Sequence, residues 1–180
     1  VSILEGDDIT REHIAQMYKF YISTISRKWG HPYLSLEFFY RIHHTMLNRL
    51  VLFLAYVDKD CVAGTINFQK NDCLYGRYWG CKGNFRSLHF ELCYYQPIEF
   101  AIRKGISLFE AGAQGEHKIQ RGFLPELTYS AHWIEHKGFR SSISNFLDEE
   151  KESIRQGIKE FSPHSPYRDR LSLAAFESRL

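Results

Sequence analysis

The stretch HFELCYYQPIEFAIRKGISLFEAGAQGEHKIQRGF, residues 89–123, decides how the rest of the chain is interpreted. It joins a helical pattern, a short apolar run and a loop that is rich in glycine and charge. The spacing predicts one helix over 87–104, kinked near Pro97, because a serine can cap its start and Gly105 can close its end. A strand up to Tyr95, followed by a short helix, is the alternative that the alternating apolar residues leave open.

The glycine-rich loop is the strongest sequence signal of a site. A strand over 106–111 leads into it, and glycine lets a backbone approach a ligand closely. The cations of the loop suit phosphate or carboxylate, and its carboxylates and imidazole can move protons. The candidates are Glu110, Gly112, Gln114, Gly115, Glu116, His117, Lys118 and Arg121. We expect the loop at the mouth of a cleft, with Lys118 or Arg121 facing an anion; a solvated surface loop is the alternative.

Outside this stretch, the hydrophobic period changes several times. We expect a strand over 1–5, a helix after Thr10 and a second helix opening at Ser35. Three β-rich runs joined by short turns then predict an antiparallel meander: Val51–Val57, Cys61–Phe68 and Leu74–Trp79.

The C-terminal part predicts one more strand and one more helix. We expect the strand over Leu127–Trp133 and the helix from Ser141 or Ser142 through Phe161. The whole order predicts an α/β fold with a mixed sheet, an antiparallel meander plus a diverging strand, flanked by helices.

Composition narrows the class of protein. At 180 residues and 44% hydrophobic, the chain suits a domain with its own core and is unlike a disordered segment. Its 23 Lys+Arg and 21 Asp+Glu include no run of five like charges, so nothing indicates a general nucleic-acid or membrane binder. The longest apolar run has eight residues, far short of a membrane span. Four cysteines without a C-x-x-C pair favour reduced thiols and a cytoplasmic location.

Residues 89–123, with TYSAHWIEHKGF at 128–139, resemble the Fem-like branch of the GNAT superfamily. More closely, they are similar to the bacterial group of peptidoglycan biosynthesis or recognition proteins. The shared pattern is helix, glycine, strand, acidic residue and glycine, here 95–112. In the GNAT fold, whose element order the whole chain matches, a diverging strand opens a cleft for the acyl donor.

The resemblance implies an N-acyltransferase that transfers an acyl or aminoacyl group to an amine of a small acceptor or cell-envelope precursor. The donor would be acyl-CoA or aminoacyl-tRNA, so tRNA is an expected partner, with no tightly bound cofactor. We expect one domain over 1–161, a turn and tail over 162–180, and a GNAT-like N-terminal half upstream. The alternatives are a recognition module that lacks turnover and a structural half whose site another domain completes.

One departure from the GNAT pattern concerns the donor. The usual diphosphate loop, Q/R-x-x-G-x-G/A, is replaced by GCKGNFR at 80–86. Lys82 and Arg86 could still bind an anion beside a helix N-terminus. The missing motif argues against acetyl-CoA and leaves room for aminoacyl-tRNA.

Acyl transfer to an amine requires a base, a donor for the oxyanion and an acid for the leaving group. We take Glu91, Glu110 and His117 as candidate bases and Tyr95 as a candidate acid, with His132 as a binding residue. His89 and Glu91 form H-x-E, but the P-C-x-x-C half of the zinc-deaminase signature is missing, so no metal is expected.

Overall fold

The computed structural model describes residues 1–27, 30–112 and 116–161, together with 164 and 166. The chain divides into two compact units, Val1–Ala113 and Gln114–Leu180, which are described separately. A single domain over 1–161 stays a prediction.

The first unit has five strands: β1 (Ser2–Glu5), β2 (Leu50–Val57), β3 (Asp60–Lys70), β4 (Cys73–Cys81) and β5 (Leu108–Glu110). They form one mixed sheet in the order β1-β2-β3-β4-β5. The pairs β1–β2, β2–β3 and β3–β4 are antiparallel, whereas β5 is parallel to β4. The predicted meander and mixed sheet are therefore confirmed.

Two helices, α1 (Arg11–Arg27) and α2 (Leu36–Met46), precede β2. A side chain caps the N-terminus of each helix, at the residue that the sequence predicts. The Thr10 Oγ1 accepts the His13 N–H at 3.4 Å, and the Ser35 Oγ accepts the Phe38 N–H at 3.2 Å.

Helix α3 covers residues 88–104 and has three consecutive parts. An α-helical turn, Leu88–Phe90, leads into a π-helical turn, Glu91–Tyr95, and then into the α-helix Gln96–Lys104. The prediction of one helix is confirmed and the strand alternative is wrong. Gly105 closes the helix as predicted, at φ +68°, with its N–H on the carbonyls of Ala101 and Ile102.

The sheet is covered on both faces, which explains why β2 is a continuous apolar run. Leu50, Leu52 and Leu54 belong to the core cluster that contains α1 and α2 residues. Val51, Phe53 and Ala55 join Leu92 and Phe100 of α3 in a second cluster. Successive side chains on a strand point to opposite faces, so only a strand buried on both sides has this pattern.

Strand β5 is short and pairs only with the start of β4, over Cys73–Tyr75. The Asp72 carboxylate fixes the approach of β5, since it accepts the Ser107 N–H at 2.9 Å and the Ser107 hydroxyl. These hydrogen bonds lower the pKa of Asp72. In the described part of the chain no strand pairs with the rest of β4 on this side, so the sheet edge opens after Tyr75.

The second unit differs from the sequence prediction in two ways. The predicted strand Leu127–Trp133 is wrong, because residues 123–134 have no regular structure and Tyr129 and Trp133 are largely exposed. Helix α4 is Lys137–Phe161 and so begins before the predicted serines. His136 explains the earlier start: its Nδ1 accepts the Phe139 N–H at 3.1 Å and its carbonyl accepts the Arg140 N–H at 2.9 Å. Within the described residues, no helix is both long enough and apolar enough to cross a membrane.

Gly80 allows α1 to pack closely against β4. A Cβ atom at this position would lie 2.2 Å from the Phe20 carbonyl oxygen, which is backbone and cannot rotate away. We therefore expect Gly80→Ala to lower the free energy of unfolding by about 1–3 kcal/mol, the usual cost of overpacking. Urea denaturation followed by circular dichroism measures this change.

Gly83→Ala is the matched control for this substitution. A Cβ at Gly83 would meet only the Phe85 ring at 3.5 Å, an ordinary contact. Equal stability of the two variants would contradict the close packing of α1 on β4.

Candidate active site

A cavity of about 570 Å³ lies in the first unit, between the β2–β3 hairpin and the start of α3. The hairpin contributes a mostly apolar wall, and the loop after β4 with the first turns of α3 contributes most of the polar groups. The lining residues are Ala55, Tyr56, Val57, Val62, Asn84, Phe85, Arg86, Ser87, Leu88, Glu91 and Tyr95.

Three of the predicted site residues share this cavity: Arg86, Glu91 and Tyr95. Glu91 and Tyr95 are four residues apart on α3, so their side chains lie on the same face of the helix. The Gln96 Nε2 donates to the Glu91 Oε1 at 2.8 Å, which fixes the carboxylate and leaves its second oxygen for a ligand. The cavity thus combines a cation, a carboxylate and a phenol.

The π-helical turn that carries Glu91 and Tyr95 has a clear cause in Pro97. The Gln96 N–H donates to the Glu91 carbonyl, five residues back, and Pro97 has no N–H to donate to the carbonyl of Leu92. The Thr65 hydroxyl of β3 donates to this carbonyl instead, at 3.5 Å. π-Helical turns are common at functional sites, because they reposition the side chains around them.

Asn67 completes the link between the sheet and α3. Its Nδ2 donates to the Thr65 Oγ1 at 2.9 Å and to the Val51 carbonyl at 3.3 Å. Thr65 and Asn67 are only 3% and 2% exposed, and buried polar groups of this kind need partners. This network, which the sequence analysis missed, sets the position of α3 on the sheet.

Ser87 begins α3 with a strained backbone, and not with the side-chain cap that the sequence predicts. Its φ is +64°, in the left-handed region, and its side chain makes no capping hydrogen bond. The helix starts from its carbonyl, which accepts the Glu91 N–H at 3.1 Å. Strain of this kind is typical of functional sites.

Lys82 and Glu110 lie in the same unit but do not line the cavity. Lys82 forms an ion pair with Asp60. Glu110 is exposed at the end of β5, opposite Tyr75 of β4.

The remaining candidates lie in the glycine-rich loop and beyond it. Gly112 has φ +86°, a conformation that favours glycine, while Gln114 and Gly115 lie outside the described residues. Glu116, His117, Lys118 and Arg121 fall in a 3₁₀ turn, Glu116–Arg121, where the Arg121 guanidinium donates to the His117 carbonyl at 2.6 Å. His132 is exposed, with its Nε2 2.9 Å from the Ser130 hydroxyl. The position of this loop at a cleft mouth stays a prediction.

A family described as FemAB-like, for peptidoglycan biosynthesis/recognition, matches residues 1–169. The chain belongs to the FemAB-like family. The resemblance carried by residues 89–123 and 128–139 is therefore confirmed, and the match spans both units. No curated protein matches the chain by sequence.

Two solved structures are similar to the FemAB-like chain at low identity. One is a protein from Staphylococcus aureus subsp. aureus assigned provisionally to the GNAT family acetyltransferases, with 13% identity, a TM-score of 0.45 and coverage of 61% of this chain and 96% of that one. The other is an aminoglycoside acetyltransferase from an uncultured soil metagenomic sample, with 12% identity, a TM-score of 0.49 and coverage of 74% and 98%. Similarity at this distance carries no argument about chemistry.

Removing the Thr65 hydroxyl tests the link between sheet and helix. In Thr65→Val the shape is kept, but the Leu92 carbonyl and one Asn67 N–H lose their partner, so we expect a loss of about 1–3 kcal/mol in unfolding free energy. Thermal and urea denaturation measure it.

Thr45→Val is the control, because the Thr45 hydroxyl donates to the Arg41 carbonyl at 2.8 Å on an exposed helix surface. We expect a change within about 0.5 kcal/mol there. A Thr65→Val variant as stable as the Thr45→Val variant would contradict the role of the network.

Proposed function

We propose that this FemAB-like chain is an N-acyltransferase that transfers an acyl or aminoacyl group to an amine of a cell-envelope precursor. The observation that carries the proposal is the meeting of Arg86, Glu91 and Tyr95 in one cavity. The family, which is described for peptidoglycan biosynthesis/recognition, supports the kind of acceptor. A cell-envelope precursor supplies amines that can be acylated.

Glu91 is the proposed base. When the amine nitrogen attacks the acyl carbonyl carbon, a C–N bond forms and the nitrogen must lose a proton. The free oxygen of the Glu91 carboxylate takes this proton, while the Gln96 amide holds the other oxygen at 2.8 Å. The bond from the acyl carbon to the sulfur or oxygen of the donor then breaks.

Tyr95 and Arg86 serve the donor side of the reaction. The Tyr95 side chain is exposed enough to reach a ligand, and its hydroxyl donates a proton to the departing sulfur or oxygen. Arg86 binds an anionic group of the donor, since guanidinium donates to phosphate in a fixed planar geometry. The apolar wall of Ala55, Val57 and Val62 excludes water from the acyl group.

A recognition module without turnover is the second candidate. The family description itself names recognition beside biosynthesis, and the same cavity would then bind a ligand without transferring a group. The two functions are separated by turnover, which only the enzyme shows with acetyl-CoA or an aminoacyl-tRNA as donor.

Glu91→Gln separates proton transfer from binding. The amide keeps the size of the side chain but is not a base, so we expect the rate of transfer to fall by about 100- to 10,000-fold with little loss of ligand affinity. Steady-state kinetics and calorimetry measure the two effects.

Glu110→Gln tests the other predicted carboxylate, and Glu99→Gln, an exposed α3 residue, is the control. Both should transfer at the wild-type rate. Equal losses of affinity and rate in Glu91→Gln would instead identify Glu91 as a binding group.

The donor is tested by calorimetry with acetyl-CoA. Without the usual diphosphate loop we expect weak binding, with a Kd of about 1 mM or weaker. We expect Arg86→Ala to abolish what remains, because Arg86 lines the cavity, and Lys82→Ala to change little, because Lys82 is paired with Asp60. Tight binding that is lost only when Lys82→Ala and Arg86→Ala are combined in one variant would contradict this expectation and make acetyl-CoA the donor.

A further inference from the structure

The side of the cavity that the β2–β3 hairpin forms is apolar from its buried part to its exposed part. We call Ala55, Tyr56, Val57 and Val62, the residues that β2 and β3 contribute to the cavity, the hairpin wall. Ala55 and Val62 are only 5% and 6% exposed, whereas Val57 at the end of β2 is 50% exposed. None of the four side chains carries a charge at neutral pH. The wall therefore suits a hydrocarbon group better than a phosphate.

The small size of Ala55 leaves room for a ligand at this end of β2. On the face of β2 that α3 covers, Val51, Phe53 and Ala55 follow one another at every second position. The Phe53 ring fills its part of this face, because it packs edge-on against the Phe100 ring with the centroids 5.7 Å apart. Two residues further on, a methyl group fills much less space beside the start of α3, and the cavity lies there.

A β-bulge adds Val62 to the same wall. Ala55 of β2 lies opposite Ala63 of β3, and the next β2 residue lies opposite Cys61. Val62 is therefore the additional residue on β3. Val62 and Ala63 both belong to the core cluster on the α3 face although they are neighbours in the strand, while Cys61 packs against the opposite cluster. The bulge thus redirects an isopropyl group into the cavity.

The charged groups of the cavity come from a different part of the chain. Arg86 lies on the loop after β4, and Glu91 lies on α3. A ligand that fills the cavity must therefore be polar at one end and apolar at the other. An acyl group has this form, because its carbonyl is polar and its chain is hydrocarbon.

The size of the cavity indicates the size of the acyl group. Its volume of about 570 Å³ lies in the range of pockets that enclose drug-sized ligands, and an acetyl group would fill only a small part of it. Large apolar side chains that line the cavity are also left exposed: Tyr56, Val57, Phe85 and Tyr95. Clusters of exposed apolar side chains mark binding surfaces, and only a longer chain can cover this one.

We propose that the cavity selects an aliphatic acyl group that is several carbons longer than acetyl, and that Ala55, Val57 and Val62 determine this preference. The inference rests on the proposed function, since it names the acyl group that the same cavity would transfer. The acyl carbonyl lies beside Glu91 and Tyr95, and the chain lies along the hairpin wall. Each methylene then removes apolar surface from water, both its own and that of the wall.

Neutral amides of increasing length test the proposal without an acyl donor and without turnover. N-methylacetamide, N-methylbutanamide, N-methylhexanamide and N-methyloctanamide resemble the amide product and differ only in chain length. In titrations followed by the backbone amide chemical shifts, we expect Kd to fall by about 2- to 4-fold for each added methylene. The largest shifts should lie in the hairpin wall and at the start of α3. Affinity that does not depend on chain length, no binding of the longest amide, or shifts confined to residues outside the cavity would overturn the proposal.

Three substitutions assign the preference to the hairpin wall. Ala55→Leu fills part of the cavity, so the affinity should stop rising beyond N-methylbutanamide. Val57→Asn makes the wall polar at an exposed position and should weaken binding of N-methyloctanamide by about 3- to 10-fold. Ile102→Asn is the matched control, because it makes the same kind of change at an exposed α3 residue that does not line the cavity, and it should bind like the wild type. Thermal melting checks that all three variants fold.

The outcomes separate this inference from the proposed function. Chain-length dependence that Val57→Asn weakens, in a protein that transfers no acyl group, would support the preference and contradict the proposed transfer. A folded Val57→Asn protein that binds N-methyloctanamide as tightly as the Ile102→Asn protein would contradict the preference, whether or not the chain transfers acyl groups.

Discussion

The missing N–H of Pro97 is the constraint on which the site depends. It leaves the Leu92 carbonyl without its donor from one turn further along the helix, inside a core where an unpaired polar group is costly. The Thr65 hydroxyl satisfies this carbonyl at 3.5 Å, and Asn67 in turn satisfies and orients Thr65. The apolar packing of α3 on the sheet is thereby supplemented by hydrogen bonds from β3. Glu91 and Tyr95 sit in the π-helical turn that results.

The same network explains why the candidate site and the core cannot be separated. Leu92 lies between Glu91 and Tyr95 in the sequence and is fully buried. Further along the same helix, the Phe100 ring packs edge-on against the Phe53 ring, with the ring centroids 5.7 Å apart. The first turns of α3 therefore give one face to the core and another to the cavity. Changes in β3 that weaken the network should act on the site without touching any cavity-lining residue.

Local signals in the sequence were sufficient to predict most of the helices and strands of the first unit. Hydrophobic alternation, turn residues and helix caps act over a few residues. The meander, the helix start at Ser35 and the helix end at Gly105 were therefore predictable. The strand over Leu127–Trp133 failed because alternation also occurs where no neighbouring strand is present to pair with. Arg86, Glu91 and Tyr95 were each predictable as candidates. Their shared cavity was not, because its apolar wall comes from a hairpin about thirty residues earlier in the chain.

Helix α4 has a consequence for how the molecule moves. It runs for 25 residues, and none of its residues is buried. Its backbone hydrogen bonds are therefore supported mainly by helix propensity and by surface ion pairs such as Lys151–Asp148 at 3.2 Å, which contribute little. In deuterated water its amides should exchange through local opening, long before those of β2 and β3, whose protection depends on unfolding the sheet. We therefore expect two classes of amide in the described chain, slowly exchanging ones in the sheet and rapidly exchanging ones in α4.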